Sequence, residues 1–198
     1  MPALTQIQIA SGTDDAREIA GTVTTNSTSS GEIDATNEYI GLRFIVPTIA
    51  SGTTITNATL TVAVTATTQD EFHHTIYGQA ADNPGAFTSA GSNDISGRTP
   101  TTATVAWGDG TNLALAADQD VTSPDLTAIV QEIVNRPGWA AGNAMVFIIQ
   151  GGSVATEDMT IHMFEGALGA AKAARLDISY ATGGVSTIGA ARYYRSQQ

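Results

Sequence analysis

An all-β, two-sheet jelly-roll sandwich with one short crossover helix is the fold class this sequence predicts, and three observations predict it. Several short segments alternate apolar and polar residues with period 2, as half-buried strands do. One stretch alone carries a helical stripe, Leu126, Ile129, Val130, Ile133 and Val134. Long Gly, Asn, Asp and Ser clusters separate the patterned segments, as the connections at the ends of a sandwich require.

Taken in order, the first clear strand runs from Tyr39 to Val46, where Ile40, Leu42, Phe44 and Val46 share a face and Arg43 lies on the other. Thr54 to Thr67 follows, with Ala58, Leu60, Val62, Val64 and Ala66 alternating against threonines. The connector Pro47 to Thr53 contains Pro and Gly, which predicts a hairpin between these two strands. Phe72, His74 and Ile76 mark another strand, and Val105 with Trp107 a further one ending at Gly108. The helix is expected over Pro124 to Arg136, with Ser123 as N-cap, Pro124 at the first helical position and Asn135 to Gly138 as the stop. Ala144 to Gln150 is apolar on both faces and reads as a central strand covered by that helix. Met159, Ile161 and Met163 alternate, and so do Ala174, Leu176, Ile178 and Tyr180, which closes a domain spanning 1–180. The segments Gly21 to Asn37, Ala81 to Arg98 and Gly108 to Asp120 read as loops too polar to pack. Residues 181–198 form a C-terminal extension with a Gly-Gly hinge.

Composition narrows the function classes. The 198 residues include no cysteine, so the fold must be held by packing and strand pairing. A net charge of -11, from 8 basic against 19 acidic side chains, argues against a nucleic-acid partner, since phosphate attraction dominates nonspecific affinity. Twenty-nine threonines favour a surface of hydroxyls rather than ions. The first residues carry neither the basic nor the apolar region of a secretory signal, and the apolar run Ala144 to Ile149 is too short to span a bilayer. Production and assembly in a cytoplasm, with no membrane partner, is the resulting expectation.

The chemistry-bearing residues are sparse. His73 and His74, adjacent on a strand, must face opposite ways and cannot share a metal ion, and His162 stands alone in its segment. There is no thiol and no G-x-S-x-G elbow, and the acid pairs Asp70 with Glu71 and Glu157 with Asp158 stand beside strand ends as solvated turn residues do. An enzyme is not expected, and no cofactor beyond a structural Ca²⁺. For that ion Asp14 with Asp15 is the candidate pair, with Asp118 and Asp120 as a second, because a hard cation takes loop carboxylates. Neither matches an EF-hand loop. Glycan stacking would fall to Trp107 and Trp139, the only tryptophans, but each stands next to a glycine at an element boundary and is expected to cap the core rather than face a ligand. In the tail, Ile188, Arg192, Tyr193, Tyr194 and Arg195 are the candidate docking residues, Tyr and Arg being enriched in interface hot spots.

Several phrases together resemble one family. TDDAREI (Thr13 to Ile19), the stretch from Tyr39 to Val62, ISGRTPTTATVAW (Ile95 to Trp107), the stretch from Ser123 to Ile149 and the closing LDISY (Leu176 to Tyr180) are similar to the DNRLRE-type jelly-roll domain. The likeness spans Gln6 to Tyr180, and the helix phrase with its following strand is the most specific part; the DNRLRE hexapeptide itself is absent. That family occurs in bacterial surface proteins, near carbohydrate-binding modules, and in phage virion proteins. The resemblance and the composition together imply a non-enzymatic virion structural protein assembled in a host cytoplasm, a bacteriophage capsid decoration or head-fibre protein or a tail appendage component. Its partners would be capsid or fibre proteins and further copies of itself. The alternative it implies is a carbohydrate-binding or adhesin module at a cell surface.

Overall fold

The computed structural model describes residues 2–25, 30–33, 35–66, 73–108, 114–152 and 159–182. In chain order the strands are β1 (Pro2–Gln8), β2 (Asp15–Ile19), β3 (Thr22–Thr24), β4 (Ser30–Ile33), β5 (Glu38–Ile45), β6 (Ile55–Ala63), β7 (His74–Gln79), β8 (Pro100–Trp107) and β9 (Asp120–Thr122). Helix α1 (Thr127–Val134) comes next, then β10 (Ala144–Gln150), β11 (Met159–His162), a single helical turn α2 (Gly169–Lys172) and β12 (Arg175–Ala181). Every pairing is antiparallel. A four-stranded sheet has the order β1-β12-β6-β9, a six-stranded sheet the order β3-β2-β5-β10-β7-β8, and β11 pairs with β4.

The two larger sheets form an all-β sandwich because their patterned strands each offer one apolar face. Ile40, Leu42 and Phe44 of β5, Ile76 of β7 and Met145, Phe147 and Ile149 of β10 meet Ala58, Leu60 and Val62 of β6 and Leu176 and Ile178 of β12 in one core. Phe44 and Phe147 meet edge to face at 6.2 Å between ring centroids.

The expected hairpin between β5 and β6 does not form. These strands lie in opposite sheets, and residues 47–54 carry the chain across the end of the sandwich. Local signals for a hairpin and for a crossover are the same, a Pro and a Gly with positive φ at Gly52; what selects the crossover is tertiary anchoring. Ile49 is buried, its carbonyl accepts the Trp139 indole N–H at 3.0 Å, and Gly52 N–H donates to Val134 O.

Helix α1 also departs from expectation, in extent and in place. It starts at Thr127 rather than Pro124, and Leu126 occupies its N-cap position without a side-chain cap. Ser123 Oγ instead accepts from Leu60 N–H on β6, and Asp125 accepts from the Thr127 N–H and hydroxyl. The helix does not cover β10. It plugs the flank between the sheets, packing on β6, β7 and β8. Gly78 on β7 makes this approach possible, because a Cβ there would run into Ile129 and Ile133.

From that position the helix closes two strand edges. Gln131 Oε1 accepts from Ile55 N–H while its Nε2 donates to Thr53 O, and Asp125 Oδ1 accepts from Ala58 N–H, so the part of β6 beyond β9 is capped by side chains. On the other side Glu132 accepts from Thr102 and Ala103 N–H, at 2.8 and 2.9 Å, along the outer edge of β8. Where these side chains sit, the edge cannot template another strand.

The outer face of β10 is apolar for a different reason than the sequence suggested. Residues 80–98 fold over it, and Phe87 and Ile95 bury Val146, Ile148, Ala16, Val23 and Tyr77 in a second, smaller core. The segment therefore packs, despite its polar composition. Arg98 holds it together, donating to the carbonyls of Gly85, Ala86 and Asp94 and lying 4.3 Å from the Phe87 ring centroid. Glu18, fully buried on β2, accepts from Ile95 N–H, Ser96 N–H and the Ser96 hydroxyl. The strands β3 and β4 likewise lie in a stretch read as loop, where their few residues leave no clear period.

Candidate functional site

The two aspartates named for calcium sit at the start of β2 and are each engaged by a different element. Asp14 Oδ1 accepts from the Arg43 guanidinium, which also donates to Pro84 O. Asp15 is buried, and its Oδ2 accepts from Phe164 N–H at 2.7 Å, in the turn after β11. Its Oδ1 is buried with no hydrogen-bond partner among the described residues. Burial, with the charges of Glu165 and Asp14 adding to it, pushes the Asp15 carboxyl up to about 7, against the opposing pull of the Phe164 N–H. The pair thus offers a cation no shared cradle. Among the described residues no three carboxylate or imidazole groups converge where a metal ion could be held.

Asp118 and Asp120 are not a cation pair either. Asp118 Oδ1 lies 2.8 Å from His162 Nε2, and Asp120 Oδ1 accepts from Lys172 Nζ at 2.9 Å. His73 is exposed and His74 buried, the opposite orientations their adjacency on an extended segment requires.

Trp107 and Trp139 are each 3% exposed and belong to the main core. Neither presents a ring face for a sugar to stack on. Trp139 closes the crossover between β5 and β6, and Trp107 ends β8 opposite His74.

Ile188, Arg192, Tyr193, Tyr194 and Arg195 lie outside the described residues, as do Phe72, Asp70, Glu71, Glu157 and Asp158. The described chain ends at Thr182, directly after β12. There Ala181 and Thr182, with Pro2 and Thr56, line a surface cavity of about 340 Å³.

The charge distribution carries a signal that composition alone hid. Six of the chain's eight basic residues fall within the described residues, and all six form ion pairs inside the sandwich: Arg17 with Glu32, Arg43 with Asp14, Arg98 with Asp94, Arg136 with Asp82, Lys172 with Asp120 and Arg175 with Asp177. The two basic residues left over are Arg192 and Arg195, in a tail segment, 183–198, that contains no acid. The more exposed of these pairs contribute little stability singly, yet all six occupy cations that would otherwise meet an anionic partner. No helix among the described residues is long and apolar enough to cross a membrane. No family model matches the chain, and no curated protein matches it.

Proposed function

We propose that this chain is a non-enzymatic virion structural protein, a bacteriophage capsid decoration or head-fibre protein or a tail appendage component, present in many copies and docked through residues 182–198. The observation that carries the reading is the disposition of charge: the sandwich has its described cations internally paired and a surplus of acids, while the tail retains two arginines beside two tyrosines. A surface of that kind repels anionic polymers and other acidic surfaces, leaving the tail as the segment suited to gripping a carboxylate-bearing protein shell. The resemblance to the DNRLRE-type jelly-roll domain, which occurs in phage virion proteins, supports the same reading. Many identical copies would turn modest individual contacts into stable attachment through avidity.

The test compares the full chain with one ending at Ala181, each supplied to particles lacking the protein. The reading expects the shortened chain to keep its sandwich by circular dichroism and to be lost from particles purified by sedimentation. Normal incorporation of the shortened chain would overturn the docking role of the tail.

A further inference from the structure

Strand β1 is a sheet edge along which no side chain among the described residues takes an outward amide. On β8 Glu132 takes the Thr102 and Ala103 amides, β6 has Ser123, Asp125 and Gln131, β3 and β9 are three residues long, and β4 and β11 four. β1 is seven residues long, none of them buried, and pairs on one side with β12. Its Leu4 is the most exposed large apolar residue described, at 60%. Native edges of this length are usually blunted by charge, and β1, PALTQIQ, has no ionisable side chain in a chain of net charge -11. Its neighbour β12 adds Arg175 and Asp177 opposite Gln8 and Gln6, an ion pair that cancels itself.

The direction of the free backbone groups follows from the ladder. Ile9 N–H donates to Ala174 O, so in the β1–β12 register the residues turned toward β12 are Ile7, Thr5 and Ala3. The amides and carbonyls of Leu4, Gln6 and Gln8 therefore point outward, and Pro2 offers its carbonyl alone.

We propose that β1 pairs antiparallel with β1 of a second copy of this chain, across a two-fold axis at Thr5, joining the two four-stranded sheets into one. In that register Leu4 and Gln6 exchange both backbone hydrogen bonds with Gln6 and Leu4 of the second copy, and each Gln8 N–H donates to the Pro2 carbonyl opposite. Pro2 sits where its missing N–H leaves a carbonyl unpaired and no donor. The outward residues are self-complementary, which favours an identical copy. Electrostatics favour it too: elsewhere two copies bring acidic surfaces together, whereas at β1 the meeting patch is neutral. A contact made through one strand edge gives a concentration-dependent dimer, to be sought from about 1 μM to about 1,000 μM. Such pairing does not depend on the proposed virion role.

The test is sedimentation equilibrium on the full chain with Gln6→Pro and Leu4→Lys variants. Pro is tolerated at an edge position whose N–H faces solvent, so Gln6→Pro leaves the β1–β12 ladder intact while removing a donor and crowding the dimer edge. Wild type should show a monomer–dimer equilibrium, and both variants should be monomeric at the same concentrations with wild-type circular dichroism. Should Gln6→Pro fail to fold, Leu4→Lys decides, since Leu4 is exposed and its replacement places two like charges beside the axis. Register is read with Thr5→Cys, which introduces the chain's first thiol at a pair spaced for a disulfide, about 4.5 Å between Cα atoms. Oxidation should give a covalent dimer. A wild type monomeric throughout the micromolar range, a folded Gln6→Pro or Leu4→Lys variant that still dimerises, or a Thr5→Cys dimer that does not cross-link would each overturn the proposal.

Discussion

Replacing Asp15 with Asn should stabilise the protein at alkaline pH and leave it unchanged in acid. The Asp15 carboxyl is raised to about 7 by burial, reinforced by Glu165 and Asp14, against an ordinary value of 3.8. Between about pH 4 and pH 7 the folded chain therefore holds a proton at this site that the unfolded chain has released, and stability falls as pH rises through that window. Above it the loss is complete. Three pKa units at 1.36 kcal/mol each set the loss at about 4 kcal/mol, and relaxation of the Phe164 turn lowers it toward about 2 kcal/mol. Asn keeps an acceptor for the Phe164 N–H and resembles the protonated acid in shape and charge. Urea unfolding of wild type and Asp15→Asn at pH 4, 7 and 9 measures the difference, with titration of all other groups common to both. The variant should match wild type near pH 4 and exceed it by about 2–4 kcal/mol at pH 9, roughly 5–15 °C in Tm. A difference independent of pH, or a variant weaker at pH 9, would refute the assignment of the raised carboxyl to Asp15.

Three further perturbations address the parts that hold the sandwich. Glu18→Ala removes the acceptor of the Ile95 and Ser96 amides beneath the outer loop; a cost of about 2–4 kcal/mol is expected, with hydrogen exchange rising first in residues 80–98. Gly41→Ala drives a methyl into the Phe87 ring and should cost about 1–3 kcal/mol, but less in a Phe87→Leu background; equal costs in both would show that the ring is not the obstacle. Glu132→Ala exposes the Thr102 and Ala103 amides on β8, for a loss of about 1–2 kcal/mol and faster aggregation on mild heating, followed by light scattering.

The parts of the fold that were legible in the sequence are those with a local cause. β5, β6, β10 and β12 announce themselves because their alternation or continuous apolarity reflects which faces are buried, and the α1 stripe does so at helical spacing. What was not legible depends on residues far apart. The connection 47–54 became a crossover through Trp139 and Val134, roughly 80 to 90 residues away, and no local feature distinguishes it from a hairpin. β1 escaped notice because apolar Leu4 lies on its exposed face, which leaves the alternation of Gln6, Ile7, Gln8 and Ile9 too short to stand out before β12 pairs with it. The same holds for chemistry. Asp14 and Asp15 look alike in sequence, yet one meets Arg43 and the other the Phe164 amide in the interior, so the pair divides into an ion pair and a buried acid. The tryptophans were visible as a choice between core and platform, and packing assigned both to the core. That six cations are all internally paired could not be read from a count of charges.

The virion reading is tested most directly by cryo-electron microscopy of purified particles from a virus encoding this chain, with mass spectrometry of the same preparation for copy number. The account expects sandwich-shaped density repeated with the symmetry of the shell or appendage, the acidic domain outermost, and residues 182–198 seated on the neighbouring protein. Particles that are complete and infectious and contain none of the chain would contradict it.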